Sequence, residues 1–252
     1  MKRYSNMNFQ VDILFPGFCG QMAYGMLGWG SWALIRTPDH KNILFDTGGP
    51  AVRGFVLDNL AKHGLTPRDI DAVIISHLHW DHICNVDFYP QAEFYLSQRE
   101  WEYGVDMKNR DRWIDEKVIM CLRAYHLNLL EDGDHELFPG MTTIMTPGHT
   151  PGSMSLVLDQ GKEGKWVLAG DAVKHRKELS TLQVHMSKDP QATENSIRRI
   201  RAMASRVLPG HDCWLTVKDG AVIPEGSNDL IIRYGQGITV NGGQTEIVIK
   251  MD

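Results

Sequence analysis

Ser76-His77-Leu78-His79-Trp80-Asp81-His82 places four side chains of metal-ligand type within six residues, directly after the all-apolar run Ala72-Val73-Ile74-Ile75. A short apolar run of that kind reads as a buried strand. A strand end followed by a tight loop can aim several side chains at one point. Neutral imidazole and carboxylate are the donors that a borderline ion such as zinc accepts. A lone histidine is ordinarily a surface or core residue with ordinary hydrogen bonds. Four ionisable groups crowded together are costly to keep unless something unites them.

The same arrangement recurs further along. Thr146-Pro147-Gly148-His149-Thr150-Pro151-Gly152 sets a histidine in a glycine- and proline-rich loop after an apolar strand. Ala169-Gly170-Asp171-Ala172 and Pro209-Gly210-His211-Asp212 each put a candidate ligand where a strand runs out. Strand ends are where sites are built on a rigid sheet.

Around these points the chain reads as strands and helices in two similar rounds. Val11-Asp12-Ile13-Leu14-Phe15 is a strand. Trp32-Ala33-Leu34-Ile35 and Asn42-Ile43-Leu44-Phe45 flank the turn-like Pro38-Asp39-His40-Lys41 as a hairpin. Val52, Phe55, Val56, Leu57 and Leu60 fall at helical spacing, with Gly64 as the stop. Ser97 and Glu100 read as a capping box opening a short helix. Residues 113–127 and 192–204 read as helices, and 141–145, 154–158, 166–169 and 206–208 as strands. The tail from Trp214 alternates like β hairpins. This order predicts sheets packed on each other with helices outside. No clean internal repeat or linker interrupts it.

The 252 residues suffice for a substantial core, and 42% hydrophobic with 23% charged residues is ordinary for a globular protein. A net charge of -5 and the lack of a long basic run argue against a nucleic-acid partner. The densest basic cluster, Arg198, Arg199 and Arg201, reads as a solvated helix face. Cys19, Cys84, Cys121 and Cys213 are scattered and read as free thiols. No signal-peptide core follows Met1, and no apolar run is long enough to span a membrane, so the expected location is cytoplasmic.

The His-x-His-x-Asp-His run, with the later His149, Asp171 and His211, resembles the metallo-β-lactamase-fold metallo-hydrolase superfamily over roughly residues 10 to 215. The resemblance implies an α/β fold, a four-layered αββα sandwich with the metal site at the sheet edge, and one metallo-hydrolase domain over residues 1–252. It implies two metal ions per chain, zinc first, with iron or manganese as other candidates. His77, His79 and His149 match the ligands of one ion, Asp81, His82 and His211 those of the other, and Asp171 the bridge between them. A metal-bridging hydroxide, its pKa brought towards about 7, is then the nucleophile. Asp81 is the catalytic acid-base group, orienting that nucleophile and passing its proton to the leaving group. Asp46, in the Asp46-Thr47-Gly48 turn, is a candidate to orient a histidine ligand or a plain turn aspartate.

Asp171 in place of a cysteine, and no leader, argue against a secreted β-lactamase. The short stretch after His211 argues against the helical C-terminal domain of glyoxalase-type thioesterases. The nearest resemblance is to the small lactonase-type members, including N-acyl homoserine lactonases. Where those carry a tyrosine three residues after the bridging aspartate, this chain has Lys174, then His175. The expected activity is opening of a small-molecule ester-type bond, a lactone first, with a thioester or a phosphodiester as alternatives. A di-iron redox module is a further one, but the chain has no room for a flavin domain. Lys174, His175 and Trp29 are the candidate substrate-binding residues. Residues 17–32, rich in glycine and large apolar side chains, read as a flap over the site, a packing loop or a homodimer contact.

Overall fold

The computed structural model describes residues 8–106, 108, 111–227, 229–239 and 243–250. The chain starts with strand β1 (Gln10–Phe15). A small hairpin follows, β2 (Gln21–Met22) and β3 (Gly25–Met26), then strands β4 (Trp32–Arg36) and β5 (Asn42–Phe45). Helix α1 (Val56–Lys62) leads to β6 (Ala72–Ile74), the short helix α2 (Trp80–Ile83), β7 (Glu93–Ser97) and α3 (Gln98–Val105). Helix α4 (Glu116–Ala124) and strand β8 (His126–Leu130) complete the first half. The second half holds β9 (His135–Phe138), β10 (Met141–Met145), β11 (Met154–Asp159), β12 (Lys165–Gly170), α5 (Arg176–Thr181) and α6 (Pro190–Met203). It ends with β13 (Ala204–Pro209), β14 (Leu215–Lys218), β15 (Ala221–Pro224), β16 (Leu230–Arg233) and β17 (Glu246–Ile249).

Two large sheets result, in the orders β1-β4-β5-β6-β7-β8 and β15-β14-β13-β12-β11-β10-β9. Side-chain alternation along the strands sorts the apolar residues into three buried layers. On β4 and β5, Ala33, Ile35, Ile43 and Phe45 face the second sheet, where they meet Met154, Leu156, Leu158 and Leu168. Their neighbours Trp32, Leu34 and Leu44 face the other way and pack with Val56 and Leu60 of α1 and Val118 and Leu122 of α4. Val157, Val167 and Val207 of the second sheet pack against Leu179 of α5 and Ile197 and Ile200 of α6. Three apolar layers separate four layers of structure, which is the αββα sandwich that the resemblance implied. Among the described residues, no helix is long and apolar enough to cross a membrane.

Some local readings need correction. The helix expected over 113–127 spans only Glu116–Ala124. Tyr125 turns extended, and His126 opens a strand that pairs in parallel with β7. β8 is a partly exposed edge strand that follows α4 after a single residue, so its leucines read as more of that helix; β7 also went unread. The helix expected from Val52 begins as a 3-10 turn over Pro50–Phe55. Only half of the capping box forms: Ser97 accepts the Glu100 N–H at 3.0 Å, while the Glu100 carboxylate turns inward. Among the described residues of the tail, β14 and β15 extend the second sheet, whereas β16 and β17 pair only with each other.

Candidate metal centre

All candidate ligands leave the sheets at one edge. The loop after β6 carries His77 and His79, and α2 carries Asp81 and His82. The β10–β11 turn carries His149, while Asp171 and His211 follow directly on β12 and β13. The structure brings all seven together. The inner nitrogens of His77, His79 and His149 form one group, and Asp81, His82 and His211 another, with the ligand atoms of each group within 4.8 Å of one another. Asp171 lies between them. Its Oδ1 is 3.2 Å from Nε2 of both His82 and His211, and its Oδ2 is 3.3 Å from Nε2 of His149. Asp81 Oδ2 is 3.5 Å from His211 Nε2.

The chemistry of this donor set fits divalent metal ions. His77 Nε2, His82 Nε2 and Asp171 Oδ1 are fully buried, and none makes a hydrogen bond among the described residues. Buried polar atoms without partners are rare and costly in a folded protein. Three of them converging on one place are what bound cations would satisfy. Close backbone approach underlines the crowding: a Cβ on Gly210 would lie 2.0 Å from Asp171 Oδ1, and one on Gly30 would lie 2.6 Å from the His82 ring.

Each imidazole is held from outside, so that its other nitrogen presents a lone pair inward. His82 Nδ1 lies 2.8 Å from Asp46 Oδ2. His77 Nδ1 lies 2.9 Å from Ser76 Oγ, which donates to the same Asp46 oxygen at 2.8 Å. The Ser76 N–H donates to Asp46 Oδ1 at 2.7 Å. Asp46 thus orients two ligands at once. His149 Nδ1 donates to the Met186 carbonyl and His211 Nδ1 to the Trp29 carbonyl, both at 3.0 Å. His79 Nε2 is 3.4 Å from Asp111 Oδ2. Asp111 also accepts from Tyr103 Oη at 2.6 Å, and Lys188 Nζ lies 3.1 Å away.

Electrostatics divides the histidines. Burial, reinforced by neighbouring imidazoles, holds His77 and His149 well below the usual imidazole range, so both stay neutral. Burial would lower His82 and His211 too, but the Asp171 and Asp81 carboxylates outweigh it and raise both. Asp171 is the converse. Burial opposes its charge, yet His211, His82 and His149 hold its carboxyl well below the usual range.

The centre forms the floor of a cavity of about 320 Å³. Phe18, Met26, Trp80, Trp113 and Met186 give it apolar walls. Arg112, Lys174 and Lys188 supply positive charge. Lys174 is almost fully buried, with Nζ 3.2 Å from Glu178 Oε1. The other two candidate substrate-binding side chains lie elsewhere. His175 precedes the first turn of α5, and the Trp29 indole donates to the Pro16 carbonyl at 2.8 Å; neither lines the cavity. The apolar segment 17–32 does line it, as a strap whose Phe18 and Trp29 bridge its two arms. Reading the sequence alone missed Ser76 and Asp111. Ser76 carries a weak signal, as a hydroxyl next to a histidine ligand. Asp111 carries none, because it sits 32 residues from the ring it holds.

Comparison with known proteins agrees with this geometry. Residues 28–211 match the model of the Metallo-beta-lactamase superfamily. Metallo-beta-lactamase domain-containing protein 1 of Xenopus laevis is 31% identical over 202 residues, covering 80% of this chain and 78% of that protein. An N-acyl homoserine lactonase of Bacillus thuringiensis is 25% identical over 209 residues, covering 72% of this chain and 80% of its own. The structure of AidC, a dizinc quorum-quenching lactonase in complex with a product, superposes with a TM-score of 0.64 at 21% identity, covering 80% of this chain and 81% of that one. A metal-binding His/Asp cluster at the edge of an αββα sandwich and a family match across most of the chain lead to one conclusion: this protein belongs to the metallo-beta-lactamase superfamily of metallo-hydrolases.

Proposed function

We propose that the chain is a binuclear metal-dependent hydrolase that opens a small-molecule ester-type bond, a lactone first. The observation that carries this reading is the convergence of five imidazoles and two carboxylates on the floor of an apolar-walled cavity. His77, His79 and His149 would hold one ion, Asp81, His82 and His211 the other, and Asp171 both. Zinc is the first candidate, in keeping with the donor set and with the dizinc lactonase of like fold. Ions held there supply a water of lowered pKa and a positive charge beside the substrate oxygen.

The chain's own groups do the rest. Asp81 faces the cavity, with Oδ2 turned towards His211. In this reading its carboxylate would take the proton of the attacking water and return it to the leaving oxygen. Hydrolysis turns a neutral lactone into a carboxylate, and Arg112, Lys174 and Lys188 line the wall beside which that charge develops. Phe18, Met26, Trp80, Trp113 and Met186 exclude water and accept an acyl or aromatic group.

The test is elemental analysis of the purified protein beside a chelator-sensitive panel of lactones, thioesters and phosphodiesters. About two ions per chain and lactone turnover above the other classes are expected. Phosphodiester turnover greatly exceeding lactone turnover would replace the substrate reading. No bound metal, and none regained when zinc is supplied, would remove the hydrolase reading altogether.

A further outcome follows from the cavity. Each methylene buried against the apolar walls contributes about 0.8 kcal/mol, or roughly a fourfold gain. In a series of N-acyl lactones, kcat/KM should climb by about that factor per methylene until the cavity is full. A flat series would mean that the walls do not hold the acyl chain.

A further inference from the structure

Glu100 is completely buried, yet among the described residues no lysine or arginine pairs with it. Sequestering a carboxylate in this way is costly unless donors replace the water it loses. Three donors do so. The Leu78 N–H reaches Oε1 at 3.0 Å, while the Gly152 N–H at 3.0 Å and the Thr150 hydroxyl at 2.7 Å reach Oε2. Their placement is telling. Leu78 stands between His77 and His79, and Thr150 follows His149. One carboxylate therefore ties together the two loops that supply the first group of ligands, 70 residues apart in sequence at His79 and His149.

The rest of α3 seats the same two loops. Ser97 Oγ accepts the Glu100 N–H and donates to the Gly152 carbonyl at 2.6 Å. Gly152 lies so close that a Cβ there would fall 2.1 Å from the Glu100 nitrogen. At the other end of the helix, a Cβ on Gly104 would fall 2.3 Å from Leu78 Cδ1. The three rings stand in a near-equilateral triangle, with centroids 4.7, 4.8 and 4.7 Å apart.

We propose that Glu100 is a positioning residue for this metal position: bridging the two loops, its carboxylate sets the spacing of His77, His79 and His149. This rests on the binuclear reading of the site. Glutamine cannot replace it. Leu78 and Gly152 donate to different oxygens, so either orientation of an amide turns its NH2 against a backbone N–H.

The experiment titrates metal-free protein with Co(II) alone, reading its absorption spectrum and its affinity in competition with a chelator. Wild type is expected to take up two equivalents. Glu100→Gln should bind one of them about 10- to 100-fold more weakly, with a changed spectrum, and hold the other as before. Thr150→Val, which removes one donor at nearly constant shape, should move the same equivalent in the same direction by a smaller factor. It keeps the proposal testable if Glu100→Gln does not fold. Val118→Ala, a core truncation beneath α4, lowers the melting temperature but should leave both affinities alone. Two equivalents with wild-type affinity and spectrum in both Glu100→Gln and Thr150→Val would overturn the proposal and leave Glu100 a purely structural group. Equal weakening of both equivalents would overturn its assignment to one position. No Co(II) uptake by wild type would instead overturn the metal-site reading beneath it.

Discussion

Replacing Asp171 with alanine is expected to lower kcat/KM by at least about a thousandfold, equivalent to roughly 4 kcal/mol on the barrier, and to reduce the bound metal from two ions per chain to one or none. Among the described residues, Asp171 is the one carboxylate whose two oxygens face both groups of imidazoles, Oδ1 towards His82 and His211 and Oδ2 towards His149. Without it, each group of imidazoles would lose the carboxylate oxygen that faces it. Gly210, whose backbone packs against Asp171 Oδ1, has no side chain to replace the lost oxygen. Activity against the best substrate of the panel, with metal content measured on the same sample, decides the matter. A variant within tenfold of wild type that still holds two ions would show that Asp171 does not join the two positions.

Asp46→Ala carries the second large effect, on both stability and metal binding. Asp46 is fully buried and holds the Ser76 N–H, the Ser76 hydroxyl and His82 Nδ1. Its backbone sits at φ +62°, a conformation that disfavours alanine by about 1 kcal/mol or more. Truncation strands a buried amide and a buried ring N–H, each worth about 1–3 kcal/mol. A total loss of about 3–5 kcal/mol is expected, or a melting temperature lower by roughly 10 °C for a chain of this size. Freed from their outer anchor, His82 and His77 should hold metal about 10- to 100-fold less tightly. Asp46→Asn tolerates the backbone and keeps one acceptor, and should fall between the two. Denaturant unfolding of metal-free protein separates the stability loss from the binding loss. An alanine variant that unfolds and binds metal like wild type would show that this carboxylate anchors nothing.

The candidate ligands were legible as a set because they are imidazoles and carboxylates crowded at strand ends or in the short loop and helix that follow β6. That signal is local, and it needs no knowledge of what packs where. The groups that hold the rings in place have no such signature. Two of them, at Trp29 and Met186, are backbone carbonyls, which every residue has. Asp111 and Glu100 act across the fold, and Glu100 even announced a different role, since its N–H is the one that the Ser97 side chain caps at the start of α3. Sheets packed on each other with helices outside followed from the order of elements, while β7 and β8 did not. β8 follows α4 after one residue, and its leucines read as more of that helix. The apolar segment before β4 was legible as a flap, a packing loop or a dimer contact, and its place beside Trp80 and Trp113 on the cavity wall fits the first.

The two carbonyls that hold His211 and His149 belong to segments that also wall the cavity, one with Phe18 and Met26, the other with Met186 and Lys188. A guest in the cavity that favours the arrangement in which these carbonyls grip their rings must tighten the hold on the ions. The ions must tighten the hold on the guest by the same factor, because coupling between two binding events is reciprocal. Substitutions that shift these two carbonyls against their rings are therefore expected to change guest affinity and metal retention together.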